Sequence, residues 1–442
     1  MKRRAWMSLA AAAIALVGCK FGVRYSIGGT VTGLTGHGLV LEVNAGDDLG
    51  ISSNGAFSFT KGIQNGDSYS VTVKAQPSNP SQTCTVHSGS GTVAKADIVN
   101  IIVSCSAAGH FAYVANQLSN DVSAYSIDSA TGFLTPIGGS PFAVAGTAPV
   151  ALMVDPSGRF LYVVNNGSND IAIYSIDGST GALVPNGLPK PTGVGPDAVA
   201  VDPAGRYLYV ANLASNSVSG YARDGSSGLL TEMSNSPFAV GARPSSLKVN
   251  PSGNFLYVAN FGDGNVDVLS IDSASGSLRR ISGSPFAAGA GAKSIAIGPA
   301  GTFAYVANES AASISQYSVN TSTGAPTLVS GSPQATVTSP ESLAVDPAGR
   351  YLYAANVPGK NEVGVYSIAP SSGALSLSGA PIAAGTFPIC IALDPSGVFA
   401  YVANDNSSDI SVYAVDATTG VLTPVSHSPF GAGNQPRSIA ID

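Results

Sequence analysis

Four charged side chains stand at equivalent places of a repeated sequence pattern, in a chain whose charged residues make up only 10%. They are Asp197, Lys293, Glu341 and Arg437. Carboxylates and cations at one place can bind a polar ligand, and an arginine can hold a carboxylate or sulfate through two hydrogen bonds. These four residues are therefore candidates for ligand binding. The alternative is that they only solvate the rim of a channel.

The positions around these four residues are much more uniform. Repeat by repeat, the charged position reads Val150, Asp197, Ser245, Lys293, Glu341, Ile389 and Arg437. Two residues further on, a large apolar side chain recurs as Leu152, Val199, Leu247, Ile295, Leu343, Ile391 and Ile439. In a strand, alternation would put both positions on one face, with a small residue between them. The variable position is then expected at the mouth of a concave site, where a few polar groups can orient a ligand.

Histidine, cysteine and carboxylate side chains do not combine into a catalytic pattern. His110 and His427 fall in loops of the repeats, where a surface role is expected rather than that of a general base. Cys390 replaces Ala or Ser and is predicted to be a small buried filler, because a thiol nucleophile needs a neighbouring base. Recurrent Asn and Asp residues are typical of turns. The sequence predicts no catalytic residue, no metal and no cofactor.

The elements that position these residues follow from the repeat. One copy runs from Asp202 through a Pro-Ala-Gly turn to Tyr207 and Asn212, which indicates a strand, a tight turn and a second strand. The second strands begin, 47 to 49 residues apart, at Phe111, Phe160, Tyr207, Phe255, Phe303, Tyr351 and Phe399. Strands and turns at that period indicate an all-β protein containing a β-propeller, one repeat per blade.

The ends of the repeat region predict how the ring closes. The first copy begins on a second strand at Phe111, and residues 438–442 form a first strand. The C-terminal strand should therefore complete the first blade. Residues 111–442 are predicted to be a seven-bladed β-propeller without an open sheet edge.

A different pattern precedes the repeats. Residues 19–105 contain the predicted anchor site and several alternating strand-like segments, which indicate a small antiparallel β-sandwich of immunoglobulin-like size. Cys84 and Cys105 are expected to form a disulfide, because the chain has the features of an exported protein. Closing a loop of this length stabilises a domain by about 3 kcal/mol in the chain-entropy treatment. Residues 106–110 are the predicted connector.

The N-terminus has the features of an export signal. Lys2, Arg3 and Arg4 precede an apolar stretch at residues 5–16, which is too short to span a bilayer. The following Leu16-Val17-Gly18-Cys19 resembles the lipobox of bacterial lipoproteins. This resemblance implies cleavage after residue 18 and lipid attachment at Cys19, whereas the alternative is an ordinary signal peptide. Lys20 implies the outer membrane if the source is Gram-negative, so the expected location is the cell envelope.

The charge balance argues against a nucleic-acid partner. The chain has 20 Lys and Arg against 26 Asp and Glu, a net charge of −6, and no basic run follows the leader. A phosphate backbone needs clustered basic side chains. Membrane contact is expected through the N-terminal lipid only.

Five Tyr-Val-Ala-Asn segments resemble YVTN-type propeller repeats and, more widely, the seven-bladed lactonase-family propellers. They end at Asn116, Asn212, Asn260, Asn308 and Asn404. The resemblance covers residues 111–442. It implies three site positions, carrying a His, an Arg-His pair and a Glu. In this chain they carry Val150, Asp197-Ala198 and Leu213, so none of the four residues is retained.

The sequence therefore favours a binding function over catalysis. The expected protein is a lipid-anchored extracytoplasmic propeller that acts as a ligand-binding or protein-interaction module for a glycan, peptide, small molecule or envelope protein. The alternative is a lactonase-family hydrolase, similar to 6-phosphogluconolactonase, with a non-standard site.

Overall fold

The structure, a computed structural model, describes residues 23–34, 36–77, 82–107, 110–336, 338–357 and 360–442. The leader and Cys19 lie outside these residues. The regular elements of the described residues are strands, and none of these residues forms a helix able to cross a membrane. The chain divides into two compact units, residues 1–108 and 109–442.

The described residues of the N-terminal unit form ten strands. They span Arg24–Tyr25, Ile27–Thr32, Leu39–Val43, Asp47–Ile51, Gly55–Ser58, Ile63–Gln64, Ser68–Ala75, Gln82–His87, Ser90–Thr92 and Ile98–Ala107. Two four-stranded sheets share one apolar core. The short strands Arg24–Tyr25 and Ile63–Gln64 pair with each other as a separate two-stranded sheet. One strand pair departs from the expected antiparallel arrangement. Ile98–Ala107 runs parallel to Ile27–Thr32, because the last strand enters the sheet between the second strand and Gln82–His87.

The predicted disulfide of this unit is present. Cys84 and Cys105 lie directly opposite each other on antiparallel strands, with their Cα atoms 4.0 Å apart, and their sulfur atoms are bonded. Both cysteines are buried in the apolar core. Cys390 is free.

The second unit consists of seven five-stranded sheets, one for each blade. The innermost strands are Pro149–Val154, Pro196–Val201, Pro244–Val249, Ala292–Ile297, Ser339–Val345, Pro388–Leu393 and Pro436–Ile441. The second strands are His110–Asn116, Phe160–Asn165, Tyr207–Asn212, Phe255–Asn260, Phe303–Asn308, Tyr351–Val357 and Phe399–Asn404. The third strands are Asp121–Ile127, Asp170–Ile176, Ser217–Arg223, Asn265–Ile271, Ser313–Val319, Glu362–Ile368 and Asp409–Val415.

Two shorter strands complete each blade by pairing with the third strand. The fourth strands are Leu134–Pro136, Leu183–Pro185, Leu230–Glu232, Leu278–Arg280, Pro326–Leu328, Leu375–Leu377 and Leu422–Pro424. The fifth strands are Phe142–Ala143, Lys190–Pro191, Phe238–Ala239, Phe286–Ala287, Gln334–Ala335, Ile382–Ala383 and Phe430–Gly431. We number the blades 1 to 7 in the order of their second strands.

Ring closure follows the prediction. Pro436–Ile441 pairs antiparallel with His110–Asn116, and Ile439 lies opposite Val114. Blade 1 therefore combines the C-terminal strand with the first strands of the repeat region. In blade 1, as in the other blades, the innermost strand pairs with the second strand, so closure leaves neither strand as an unpaired end of the chain.

The repeated motif supplies contacts within and between blades. The buried Tyr209 hydroxyl donates a 2.7 Å hydrogen bond to the Gly276 carbonyl in the next blade. The Asp202 carboxylate accepts the amides of Arg206 and Tyr207, which closes the turn between the first two strands. The Asn212 side-chain amide donates to Ser219 of the third strand, 3.0 Å away. The motif therefore recurs because each blade needs the same turns and the same contacts.

Candidate functional site

A β-bulge presents each variable residue at the channel mouth. In blade 3, Pro196 pairs with Asn212 and Ala198 pairs with Ala211, so Asp197 is an extra residue without a partner. The same irregularity occurs in all seven innermost strands, at Val150, Asp197, Ser245, Lys293, Glu341, Ile389 and Arg437. Bulges re-aim a side chain and are frequent beside functional sites. Backbone geometry thus explains why this position varies.

In six of the blades, the residue before the innermost strand has an unusual backbone conformation next to the bulge. It has a positive φ, including 54° at Arg243 and 63° at Phe387, where neither residue is a glycine. The Arg243 carbonyl accepts the amide of Phe261, which follows the second strand, and the Phe387 carbonyl accepts that of Asp405. A left-handed conformation in a bulky residue is uncommon and persists only where surrounding contacts require it.

The bulge also corrects the expected arrangement of the innermost strand. Strand alternation placed Val150 and Leu152 on one face, but Val150 packs with Val199 of blade 3, whereas Leu152 packs with Tyr113 of blade 1. The extra residue shifts the alternation by one, so the mouth residue and the small residue after it share a face. The recurrent large residues accordingly fill the interfaces between blades.

All seven bulge residues line one cavity of about 550 Å³ in the centre of the ring. Glu341 is 7% exposed, and its Oε2 lies 3.8 Å from Nζ of Lys293. Arg437 instead faces Asp405, with Nη1 3.4 Å from Oδ2. The Ser245 hydroxyl donates to the Lys293 carbonyl at 2.9 Å. The structure therefore brings the four predicted residues to one cavity, but only two of them pair with each other.

Two carboxyl groups at the mouth have raised pKa values. Burial raises the pKa of Asp197, although the charges of Lys293, Arg437 and Arg243 oppose the rise. Burial also raises the pKa of Glu341, with Lys293 as the main opposing charge. Two carboxyl groups with raised pKa values beside cations are a common arrangement for proton transfer.

Sequence reasoning missed three residues at this mouth, Asp405, Arg243 and Phe261. Asp405 follows the second strand of blade 7, is buried, and pairs with Arg437. The Arg243 guanidinium lies 4.8 Å from the centre of the Phe261 ring, and the Lys293 ammonium lies 5.6 Å from it. For Asp405 and Phe261 the available signal was the residue after each second strand, which varies as much as the bulge residue does; Arg243 instead precedes an innermost strand.

The remaining candidates do not form a second constellation at the mouth. His110 begins a strand rather than lying in a turn, and its Nδ1 is 3.3 Å from the Asp442 backbone oxygen. His427 is exposed and makes an edge contact with Phe133. Cys390 is partly buried between blades 7 and 1, where its sulfur accepts the amide of Ile439 and burial raises its pKa. Among the described residues, no three His, Cys, Asp or Glu side chains are grouped as metal ligands.

A comparison with models of known protein families shows the family to which the chain belongs. The sequence profile of the family described as Lactonase, 7-bladed beta-propeller, matches residues 103–244, 196–285 and 240–436. The chain belongs to this lactonase family. No curated protein matches the sequence. The bulge residues therefore line the central cavity of a lactonase-family propeller.

Solved structures share the fold of this lactonase-family propeller. A protein from Bacteroides uniformis, provisionally named a 6-phosphogluconolactonase, superposes with a TM-score of 0.67 at 20% identity over 76% of this chain and 99% of its own. The periplasmic gluconolactonase of Pseudomonas aeruginosa gives 0.65 at 21% identity, covering 75% of this chain and 98% of its own. A protein from Lactobacillus plantarum gives 0.64 at 23%, covering 76% and 99%. These likenesses concern the fold.

The positions at which the family resemblance implied catalytic residues have other uses here. Val150 is a bulge residue that packs against blade 3. Ala198 fills the small position after the bulge, and the amide of Leu213 donates to the Gly195 carbonyl. Chemistry in this chain would therefore have to use other residues of the mouth.

Proposed function

We propose that this chain is a lactonase-family hydrolase that opens a polar lactone at the channel mouth. The observation that carries the proposal is the pair formed by Glu341 and Lys293. A carboxylate that is 7% exposed lies 3.8 Å from an ammonium group, and both line the central cavity of a lactonase-family propeller. A buried carboxylate with a raised pKa is a suitable general base.

In the proposed reaction, Glu341 removes a proton from water while the water oxygen bonds to the lactone carbonyl carbon. Lys293 stabilises the developing oxyanion, as a fixed charge in a partly desolvated site can. The ring C–O bond then breaks, and the leaving oxygen takes a proton from Asp197, whose neutral form burial favours. The product is a hydroxy acid. The two carboxyl groups regain their starting protonation by exchange with solvent.

The charges suggest the class of lactone. Arg243, Lys293 and Arg437 provide three cations at the mouth, which suit a substrate rich in hydroxyls or carrying an anionic group. The names of the neighbours, a gluconolactonase and a provisional 6-phosphogluconolactonase, support a sugar lactone.

Ligand binding without hydrolysis is the second candidate. Val150, Ala198 and Leu213 stand where the family resemblance implies proton carriers and charges, and this departure favours binding. The ion pairs of the mouth could then hold a glycan, a peptide or a small molecule.

A proton-release assay on the purified chain separates the two candidates. The substrates are glucono-1,5-lactone, its 6-phosphate and the uncharged δ-valerolactone, each corrected for spontaneous opening. Hydrolysis of a sugar lactone that is lost on heat unfolding supports the hydrolase. Absence of turnover together with saturable binding of gluconate, measured by calorimetry, supports the binding protein.

The cellular setting is proposed from the leader. A lipid on Cys19 would tether the propeller to the cell envelope, in the outer membrane if the source is Gram-negative. The lipobox-like Leu-Val-Gly-Cys sequence supports this arrangement.

A further inference from the structure

Three residues beyond each bulge residue, the innermost strands carry an apolar side chain in six blades and a lysine in blade 4. Lys248 stands three residues beyond the bulge residue Ser245 on the innermost strand of blade 4. The other blades carry Met153, Ala200, Ala296, Ala344, Ala392 and Ala440 at this place. At about 3.3 Å per residue, Lys248 lies about 10 Å further along the strand than the mouth.

Lys248 lines the cavity and is exposed to it. At the equivalent places, Ala200 and Ala296 are buried in the clusters formed with the following blade. A lysine side chain is longer than those positions accommodate and carries a charge that an apolar interface disfavours. Its side chain accordingly remains in the cavity.

The Lys248 ammonium lacks the compensation that the mouth cations have. Lys293 faces Glu341, and Arg437 faces Asp405. Within the part of the chain that the structure describes, no carboxylate lies within 4.0 Å of Lys248. The side chain is open to the cavity but lies inside the ring, away from bulk water, and this desolvation lowers the pKa of Lys248 against the opposing effect of the Cys390 thiol. Desolvation disfavours the charged amine, and a bound anion would offset that cost.

Two serine hydroxyls on the same side of the cavity supply hydrogen-bond donors. Ser246 Oγ accepts the Ile295 amide at 3.2 Å, and Ser294 Oγ accepts the Leu343 amide at 3.1 Å. These bonds fix both oxygens at the wall of the cavity. Each hydroxyl retains a proton to donate, and among the described residues neither donates to a protein acceptor.

Ser342 and Ser438 occupy the same level in blades 6 and 1, where their Oγ atoms accept the amides of Ile391 and Leu152. They belong to the blades on either side of Cys390, whereas Ser246 shares the strand of Lys248 and Ser294 lies on the innermost strand of the next blade. An ammonium group and two fixed hydroxyls are donors suited to the two oxygens of a carboxylate.

We propose that the interior of the channel contains a carboxylate-binding site formed by Lys248, Ser246 and Ser294. The site is separate from the mouth, and its existence does not depend on whether the mouth hydrolyses lactones. It takes a small free carboxylate or the carboxylate end of a narrow ligand that reaches about 10 Å below the mouth.

The test uses the purified chain in a chloride-free buffer with acetate as the probe and acetamide as its neutral counterpart. Saturable binding is measured by calorimetry and by the rise in Tm. Acetate should bind and acetamide should not. Lys248→Met, which copies Met153 of blade 2, should weaken acetate binding at least about tenfold, as expected for loss of a charged hydrogen bond. Ser294→Ala should weaken it severalfold.

Lys190→Met, which removes a lysine from the fifth strand of blade 2 outside the cavity, is the control and should bind acetate with the wild-type affinity. Lys293→Met reports whether acetate binds at the mouth instead. If Lys248→Met does not fold, Lys248→Gln provides the same comparison with a polar side chain. Equal affinities for wild type and the folded Lys248 variant would overturn the proposal. So would an affinity lost in Lys293→Met alone, or absence of saturable acetate binding to the wild type.

Discussion

Lys293 and Glu341 are the bulge residues of adjacent blades, and their charged groups lie 3.8 Å apart over the central cavity. Two successive repeats, 48 residues apart, therefore place opposite charges side by side without any local sequence motif. This distance is longer than a direct hydrogen bond, so both groups retain hydrogen-bonding capacity for a water molecule or a substrate oxygen that lies beside the pair.

Glu341→Gln should abolish most of the proposed hydrolysis. The amide cannot accept the proton of water, and loss of a general base lowers a rate by about 10²- to 10⁴-fold. The measurement is the initial rate of proton release from glucono-1,5-lactone. Glu309→Gln, which removes another carboxylate near Glu341, is the control and should change the rate little. Equal rates for wild type and Glu341→Gln would remove Glu341 from the reaction.

The same carboxylate predicts the acid limb of the pH–rate profile. Because burial raises the pKa of Glu341 above its ordinary 4.5, the base becomes protonated at a higher pH than an exposed glutamate would. Activity should fall as the pH drops through that raised pKa. Lys293→Met should move the limb to still higher pH, because it removes the main opposing charge. An unchanged limb in this variant would contradict the proposed role of the pair.

Ring closure should depend on pH through Asp442. Its Oδ1 accepts the Phe111 amide at 2.6 Å, and burial raises its pKa from the ordinary 3.8 to about 6. The carboxyl is neutral in both folded and unfolded chains below pH 4, and the folded chain loses stability as the pH rises from about 4 to 6. At about 1.4 kcal/mol per tenfold change, the ionised form costs about 3 kcal/mol.

Asp442→Asn should therefore stabilise the chain at pH 7 and leave it unchanged near pH 3.5. The substitution copies Asn250 of blade 4, whose Oδ1 accepts the Phe255 amide in the same turn position. Chemical denaturation at the two pH values measures the difference. A variant that loses stability at pH 7 would show that the ionised carboxylate supports closure; His110, whose Nδ1 lies 4.0 Å from Oδ1, is the neighbouring group able to pair with it.

Lipid attachment can be examined independently of the propeller. We expect the wild-type protein in the membrane fraction with an acylated N-terminal cysteine, visible by mass spectrometry of the N-terminal peptide. Cys19→Ala should move the protein to the soluble fraction or leave it with an uncleaved leader. An unmodified, soluble wild-type protein would rule out the anchor.

The parts of the fold that repeat were predictable, and the irregular parts were not. The seven starts from Phe111 to Phe399 gave the blade number, and residues 438–442 gave the closure, because each blade needs the same strands. The bulge at Asp197 has no sequence signal of its own, so alternation assigned the wrong face to Val199. Strand order in the N-terminal unit likewise depends on long-range pairing, such as that of Ile101 with Gly29.

The bulge residues of the candidate site were predictable from the sequence, but the residues that surround them, such as Asp405, were not. The bulge residues stood out because they vary between otherwise uniform positions. Asp405 lies just after the second strand of blade 7, Arg437 lies on the innermost strand of blade 1, and the sequence separates the two by 32 residues. Nothing local connects them, whereas the ring brings the loop after the second strand of blade 7 beside the bulge of blade 1.

The contact with Asp405 changes the expected effect of an Arg437 substitution on stability. On sequence grounds, an exposed rim arginine could be removed with a stability change under about 0.5 kcal/mol. In the structure, Arg437 is 25% exposed, whereas its partner Asp405 is 8% exposed and has an Oδ1 without a hydrogen-bond partner. Burial already raises the pKa of Asp405 against the effect of Arg437. Removal of the arginine leaves a buried carboxylate unpaired.

Arg437→Ala should therefore lower the free energy of unfolding at pH 7 by about 1–3 kcal/mol. Asp405→Asn should restore most of that loss in the double variant, because a neutral amide is less costly to bury than an unpaired charge. A double-mutant cycle measured by urea denaturation gives the coupling, with Lys248→Met as a cavity-lining control for the loss of a cation that has no carboxylate partner. Additive effects of Arg437→Ala and Asp405→Asn would mean that the 3.4 Å pair contributes nothing to stability. Strong coupling would show that Asp405 holds Arg437. An anionic ligand that binds Arg437 would then have to compete with Asp405, so Asp405→Asn should tighten the binding of gluconate.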